Sequence, residues 1–324
     1  MTVAELGLSL TEYRDLAAAE LYAGGAISYD DLDSGEQTEI DRLILRGERR
    51  FWLHPPGVGS YVWSCMRDPG DMDIWGDIAV AAAVTVTQST TTMTASAATF
   101  YETMVGKSVI VTSEGTFTIT GYTSSTVVTV AESDTYATPR TFSIASDGTF
   151  RLPSDFDSPD SSTIGFTDSD QSGVPAIRFM NEKEITMLRA VQDQTGYPQF
   201  GCIRWRTSDG TASQGKELVT WPEPDQHYAV ALPYMAKPQG MSVANPYPRG
   251  GSEMAEPLLS VILATCEEAK NGQRGDRYQQ AVEICQSAVA RDRTRHHNFI
   301  AGAMLADSGT TQRMFNVKRL VLPA

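Results

Sequence analysis

Ser108-Val-Ile-Val-Thr-Ser-Glu-Gly-Thr-Phe-Thr-Ile-Thr120 decides the fold class. Apolar and hydroxyl side chains alternate on both sides of Glu114-Gly115. A period of two with a turn signal at its centre is the pattern of paired antiparallel strands. The same alternation recurs at Val84-Thr-Val-Thr87 and Val127-Val-Thr-Val130, with further turn signals at Gly121 and Ser124-Ser125. From Ile78 to about Ser146 charges thin out and Thr, Ser, Val and Ala dominate. The stretch 78–147 therefore reads as an inserted β module, a small antiparallel sandwich or barrel of five or six strands.

Helical periodicity brackets this module. Residues 9–23 form an amphipathic helix with a capping box of Ser9 and Glu12, stopped at Gly24-Gly25. A second helix starts at Ser34, with Gln37 as its capping partner and Ile40, Leu43, Ile44 and Phe51 as its apolar stripe. Its run Arg46, Glu48, Arg49, Arg50 reads as a solvated face, and Pro55-Pro56 closes the helical section. Near the other end, helices over 252–270 and 276–295 flank Asn271-Gly272, which predicts an antiparallel hairpin. Between module and hairpin the pattern gives strands at 176–180 and 201–206 and a short helix at 183–190. It also gives a β-hairpin in which Glu217–Trp221 turns at Pro222-Glu-Pro-Asp225 and returns over Tyr228–Tyr234.

The expected class is thus α+β. Residues 1–77 and 148–297 make a discontinuous core, 78–147 is inserted, and 298–324 is an extended, strand-like tail.

The chain has 324 residues and a net charge of −14, which disfavours a surface that reads DNA through its phosphates. Cys65, Cys202, Cys266 and Cys285 form no CxxC pair and read as free thiols of a protein made in a reducing cytoplasm. The longest apolar run, Ile78–Val86, is about half of a membrane span, and no signal peptide opens the chain.

No catalytic motif stands out. His296 and His297 are adjacent on a helix and point apart, so they cannot share a metal. Asp168-Ser-Asp-Gln-Ser-Gly173 imitates the start of a calcium loop, but Phe179 stands where a bidentate Glu is needed. Asp155, Asp157, Asp160, Glu223 and Asp225 supply carboxylates for hydrolysis only if folding assembles them. Trp221 and Tyr234 could stack on a sugar, although on alternating strands they suit a core or interface. The reading is a non-enzyme with no cofactor and no metal.

Several strings carry a resemblance. Leu218-Val-Thr-Trp-Pro-Glu-Pro-Asp-Gln-His-Tyr-Ala-Val-Ala-Leu-Pro-Tyr234 with Lys237-Pro238 resembles a hairpin of tailed-bacteriophage head-to-tail adaptor (connector) proteins. Phe150-Arg-Leu-Pro-Ser-Asp-Phe156 and Thr195-Gly-Tyr-Pro198 are similar to strand exits in that family. Thr99-Phe-Tyr-Glu-Thr-Met-Val-Gly106 resembles small β modules inserted in virion proteins. The resemblance implies a structural protein of the virion neck, made in the host cytoplasm. It forms a homo-oligomeric ring, twelve-fold in the family, that docks on the portal protein and receives downstream tail or nozzle proteins. DNA passes through at genome ejection without sequence-specific binding, and no membrane is involved. The competing reading is a tail-associated carbohydrate- or receptor-binding protein that uses the β module.

Two sets of site residues follow. Residues 291–324 hold five Arg and one Lys against two Asp. Arg313, Met314, Phe315, Val317, Lys318, Arg319, Leu320, Val321 and Leu322 form a basic, apolar segment suited to docking on another chain, as an added strand or in a groove of the portal. The alternative is that this segment folds back on its own subunit. Trp221, Tyr228 and Tyr234 are the candidates for an inter-subunit or core hairpin.

Overall fold

The computed structural model describes residues 7–22, 28–78, 84–167, 175–192, 194–206 and 215–307, with side chains through residue 294. The chain is α+β and divides into two compact units, residues 1–67 with 238–324 and residues 68–237. Its helices are α1 (Leu10–Leu21), α2 (Ser34–Leu53), α3 (Glu182–Val191), α4 (Ser252–Asn271) and α5 (Asp276–Asp307). Its strands are β1 (Arg67–Asp68), β2 (Asp71–Ile74), β3 (Thr85–Ala95), β4 (Ser108–Val111), β5 (Gly115–Ser124), β6 (Val127–Ile144) and β7 (Thr149–Arg151). They continue with β8 (Phe156–Pro159), β9 (Thr163–Phe166), β10 (Ile177–Phe179), β11 (Phe200–Trp205), β12 (Lys216–Trp221), β13 (Tyr228–Ala231) and β14 (Tyr234–Ala236).

The first unit is helical. The α1 capping box forms as expected, Ser9 accepting from the Glu12 amide while Glu12 accepts from the Ser9 amide at 2.7 Å. In α2 the cap is Asp33 rather than Ser34. Its carboxylate accepts from the Gly35 and Glu36 amides at 2.8 Å each, and Glu36 reaches back. Asp one residue earlier satisfies two orphan donors, and its charge also suits the helix N-terminus. Tyr13, Ile40, Phe51, Trp63, Leu258, Ile262 and Cys285 lie in one buried core. Phe51 stacks on Trp63 at 4.7 Å. Gly47 lets α2 approach α4 closely, since a Cβ there would lie 2.8 Å from Ile262 Cγ1.

The α4–α5 hairpin forms with Gly272 in the left-handed region at φ 69°. Helix α5 then continues to Asp307, so residues 298–307 are helical and not the start of an extended tail. Ala301, Ala303, Met304, Leu305 and Ala306 are strong helix formers, and each residue added to an existing helix gains a hydrogen bond without a new nucleus. The remaining tail, 308–324, lies outside the described residues, as do Gly24-Gly25 and the calcium-like 168–173.

The second unit is built from sheets. Strands β3, β4, β5 and β6 form a nearly closed, barrel-like sheet in the order β3-β6-β4-β5, with β5 also pairing β6. Four strands suffice where five or six were expected. The eighteen-residue β6 pairs in turn with β3, β5 and β4. A seven-stranded sheet has the order β2-β13-β9-β10-β11-β12-β7. Its β10–β11 pair is parallel, and α3 supplies the crossover that a parallel pair requires.

The expected hairpin between 217–221 and 228–234 does not form. Strand β12 pairs β11 and β7, while β13 pairs β2 and β9, and three strands lie between β12 and β13. The Pro222–His227 link crosses the sheet instead of reversing beside its own strand. Along it Glu223 bridges Thr195, and Gly76 donates to the Gln226 carbonyl. Both sides of β12 are taken, by β11 and β7, so the segment after the turn pairs elsewhere in the sheet.

The unit boundaries, 67/68 and 237/238, differ from the expected 77/78 and 147/148. The barrel-like sheet shares one apolar core with the rest of the unit: Val109, Phe142 and Ile144 belong with Trp75, Phe150 and Ile164. Ile78 bridges Ile144, and Ser146 donates to the Trp75 carbonyl at 2.9 Å.

Candidate functional site

Charged side chains form the seams of the helical unit. The 46–50 run is not wholly solvated. Arg46 and Arg50, one turn apart on α2, both face Glu268 of α4, at 3.6 and 2.7 Å. The Arg50 guanidinium holds the Glu268 carboxyl below its usual range. Glu48, on another face, is 3% exposed and accepts from the Met241 amide at 2.8 Å. Burial pushes its carboxyl up to about 7 against that hydrogen bond. Asp292 of α5 is also buried and accepts from Tyr61 Oη at 2.7 Å, the Ser64 amide at 3.0 Å and the Ser64 hydroxyl. It thereby fastens the 55–66 connection to α5. Burial, and next the bond to Asp292, raise the Tyr61 phenol above its usual value.

The three aromatic candidates of the second unit are not brought together. Trp221 is half-buried, stacks on Phe200 at 6.1 Å and donates its indole N–H to the Gln192 carbonyl. Tyr228 is buried against Phe166 and Tyr197, its hydroxyl 2.5 Å from Asp225. Tyr234 is buried on Phe156 and donates to Asp155 at 2.9 Å. All three are packing residues of their own unit. The carboxylates are split likewise: Asp155, Asp157 and Asp160 lie in and around β8, whereas Glu223 and Asp225 lie on the link between β12 and β13. Arg313 to Leu322 fall outside the described residues, and so do the side chains of His296 and His297.

All four cysteines are free, with Cys202, Cys266 and Cys285 buried. Burial pushes the Cys266 and Cys285 thiols up to about 12. Among the described residues no three His, Cys, Asp or Glu side chains converge on a possible metal position. Among them no helix is long and apolar enough to cross a membrane.

Two surfaces of the second unit escape pattern reading. Trp205, at the end of β11, is 55% exposed, with the ammonium groups of Lys216 and Lys237 at 4.9 and 5.4 Å from its ring centre. The other is a cleft of about 270 Å³ between the edge strands of the seven-stranded sheet. Trp75, just past β2, packs edge to face on Phe150 of β7 at 5.9 Å, so the two edges come close. The single turn Glu102–Met104 sits there, Thr103 donating to the Asp73 carbonyl at 2.8 Å. Met72, Val105 and Leu152 are among the cleft's apolar lining, and Asp71, Asp73 and Glu102 bring carboxylates to it. Asp73 also meets His227 Nε2 at 2.7 Å, and Tyr101 stacks flat on that imidazole at 4.5 Å. The acid-apolar-acid alternation Asp71-Met72-Asp73 is the one sequence signal for this edge, because charge on an edge strand blocks indiscriminate pairing.

Comparison with protein-family models and with curated proteins yields no match to this chain.

Proposed function

We propose that this chain is a structural subunit of a homo-oligomeric ring, the head-to-tail adaptor in the neck of a tailed phage. The observation that carries the reading is the unequal α4–α5 hairpin. Helix α4 has 20 residues and α5 has 32. At about 1.5 Å per residue, α5 outruns its partner by roughly 18 Å. Helix that extends past its own hairpin and leads into a basic, apolar segment suits engagement of another chain. The Phe150–Phe156, Thr195–Pro198 and Thr99–Gly106 strings support the same family. The Leu218–Tyr234 string adds only its sequence, because it does not pair as a hairpin.

Charge fits a passage that DNA must slide through. Residues 68–237 hold ten Lys and Arg against twenty-one Asp and Glu, so most of the net −14 belongs to this unit. Acidic walls repel phosphate and do not grip it. The carbohydrate-binding alternative needs aromatic platforms on the β module. Among the described residues of 84–144, Tyr122 is its single exposed aromatic.

Native mass measurement and negative-stain imaging of the purified chain, alone and with portal protein, test the proposal. A closed ring in at least one condition is the expected result. A chain that stays monomeric in the presence of portal, or that imaging of virions places outside the neck, overturns it.

A further inference from the structure

We infer that the cleft between β2 and β7 receives the C-terminal segment, residues 308–324, of a second copy of this chain. The inference rests on the ring proposed above and names one contact that closes it.

The cleft lies between two strand edges. Gly70 and Gly76 exchange hydrogen bonds with the β13 side, through Leu232 and Gln226. By alternation the main-chain groups of Asp71 and Asp73 face away from β13, as the Thr103–Asp73 bond confirms for one of them. On the other edge Leu152 and Gly148 bond toward β12, so Thr149 and Arg151 face outward, the Thr149 amide donating to the Asp147 carboxylate at 3.0 Å and the Arg151 main chain left as the pairing position. Two such edges beside an apolar floor form a receptor for an extended segment, with main-chain bonds for affinity and side-chain pockets for register.

Charge selects the occupant. Asp71 and Glu102 are exposed and Asp73 is half-buried, and they outnumber Arg151 in the cleft. Residues 308–324 contain Arg313, Lys318 and Arg319 and no Asp or Glu, with Met314, Phe315, Val317 and Leu320 among them. A basic and apolar segment is complementary to an acidic and apolar cleft, and the like-charged remainder of unit 68–237 repels acidic competitors. A tail that enters the next copy's cleft is a heterologous contact, the kind that repeats around a ring.

The test uses the full chain, a chain ending at Asp307, and a fluorescent peptide of residues 308–324. The peptide is expected to bind the shortened chain and to lose at least ten-fold in affinity on Asp71→Lys with Glu102→Lys. A peptide carrying Arg313→Glu, Lys318→Glu and Arg319→Glu should recover binding to that double variant. The milder Asp71→Asn with Glu102→Gln, checked by circular dichroism, guards against misfolding and should weaken binding in the same direction. No binding to the shortened chain, or equal binding to the parent and both double variants, overturns the inference. Cross-linking of mixed heavy- and light-isotope full chains then assigns the donor. Heavy–light peptide pairs between tail and cleft support a second copy, and pairs within one isotope only mean that each tail docks on its own chain, which overturns it. A ring that persists in the Asp71→Lys, Glu102→Lys variant sinks this contact while leaving the adaptor reading intact. Loss of the ring in that variant alone supports the contact, whereas absence of a ring from the parent full chain, both alone and with portal protein, sinks the adaptor reading itself.

Discussion

Glu48 is expected to make the helical unit less stable as pH rises through neutrality. Its carboxyl is 3% exposed, accepts one backbone hydrogen bond from Met241, and is pushed by burial from 4.5 up to about 7. The folded value is raised, so the favourable contribution is fully present below the unfolded value of 4.5. It is lost as pH climbs through the folded value near 7. The gap corresponds to about 3 kcal/mol across the full range, of which roughly 2–3 kcal/mol falls between pH 5 and pH 8.5. Glu48→Gln keeps an oxygen for the Met241 amide and removes the titration. Urea unfolding at the two pH values, followed through hydrogen exchange of α2 and α4 peptides, reads the helical unit separately. The parent should lose about 2–3 kcal/mol more than the Gln variant between pH 5 and 8.5. Because the chain is acidic, both proteins also carry a general pH dependence, and only the difference counts. Equal pH dependence in the two would refute the argument that Glu48 is buried without a compensating cation.

Three further outcomes are expected. Gly70 has φ +61°, and a Cβ there would lie 2.0 Å from the Leu232 carbonyl oxygen. Gly70→Ala should therefore lower the stability of unit 68–237 by about 2 kcal/mol or more, measured by thermal unfolding. Asp292→Ala strips the acceptor from Tyr61, the Ser64 amide and the Ser64 hydroxyl, and should cost about 2–4 kcal/mol, with faster exchange of the 55–66 amides. Excision of 84–144 should unfold the second unit, because Phe142 and Ile144 share a core with Trp75 and Phe150. Limited proteolysis checks this, and a protease-resistant remainder of 68–237 would show that the barrel-like sheet is dispensable.

Local features of this chain were legible before folding. Capping at Ser9–Glu12, the apolar stripes of α2, α4 and α5, the Gly272 stop, α3, and the alternating runs that become β3 to β6 all depend on residues within a few positions of one another. The α+β class and the barrel-like module follow from them. Small errors, such as Asp33 rather than Ser34 as the α2 cap, arise where two adjacent residues can serve the same hydrogen bond.

What tertiary structure decided is which of these elements meet. The Pro222–Asp225 signal marks a change of direction, but only the sheet settles that three strands separate β12 from β13, because strand pairing is a choice among all edges present. Phe142 and Phe150 are separated in sequence by a composition change yet buried in one core, since apolar surface is removed from water without regard to sequence distance. Glu48, Asp292 and Asp71 look like ordinary surface acids in the sequence. Folding buries the first two behind backbone and hydroxyl donors and sets the third on a strand edge, and a carboxylate's energy depends on its neighbours in space.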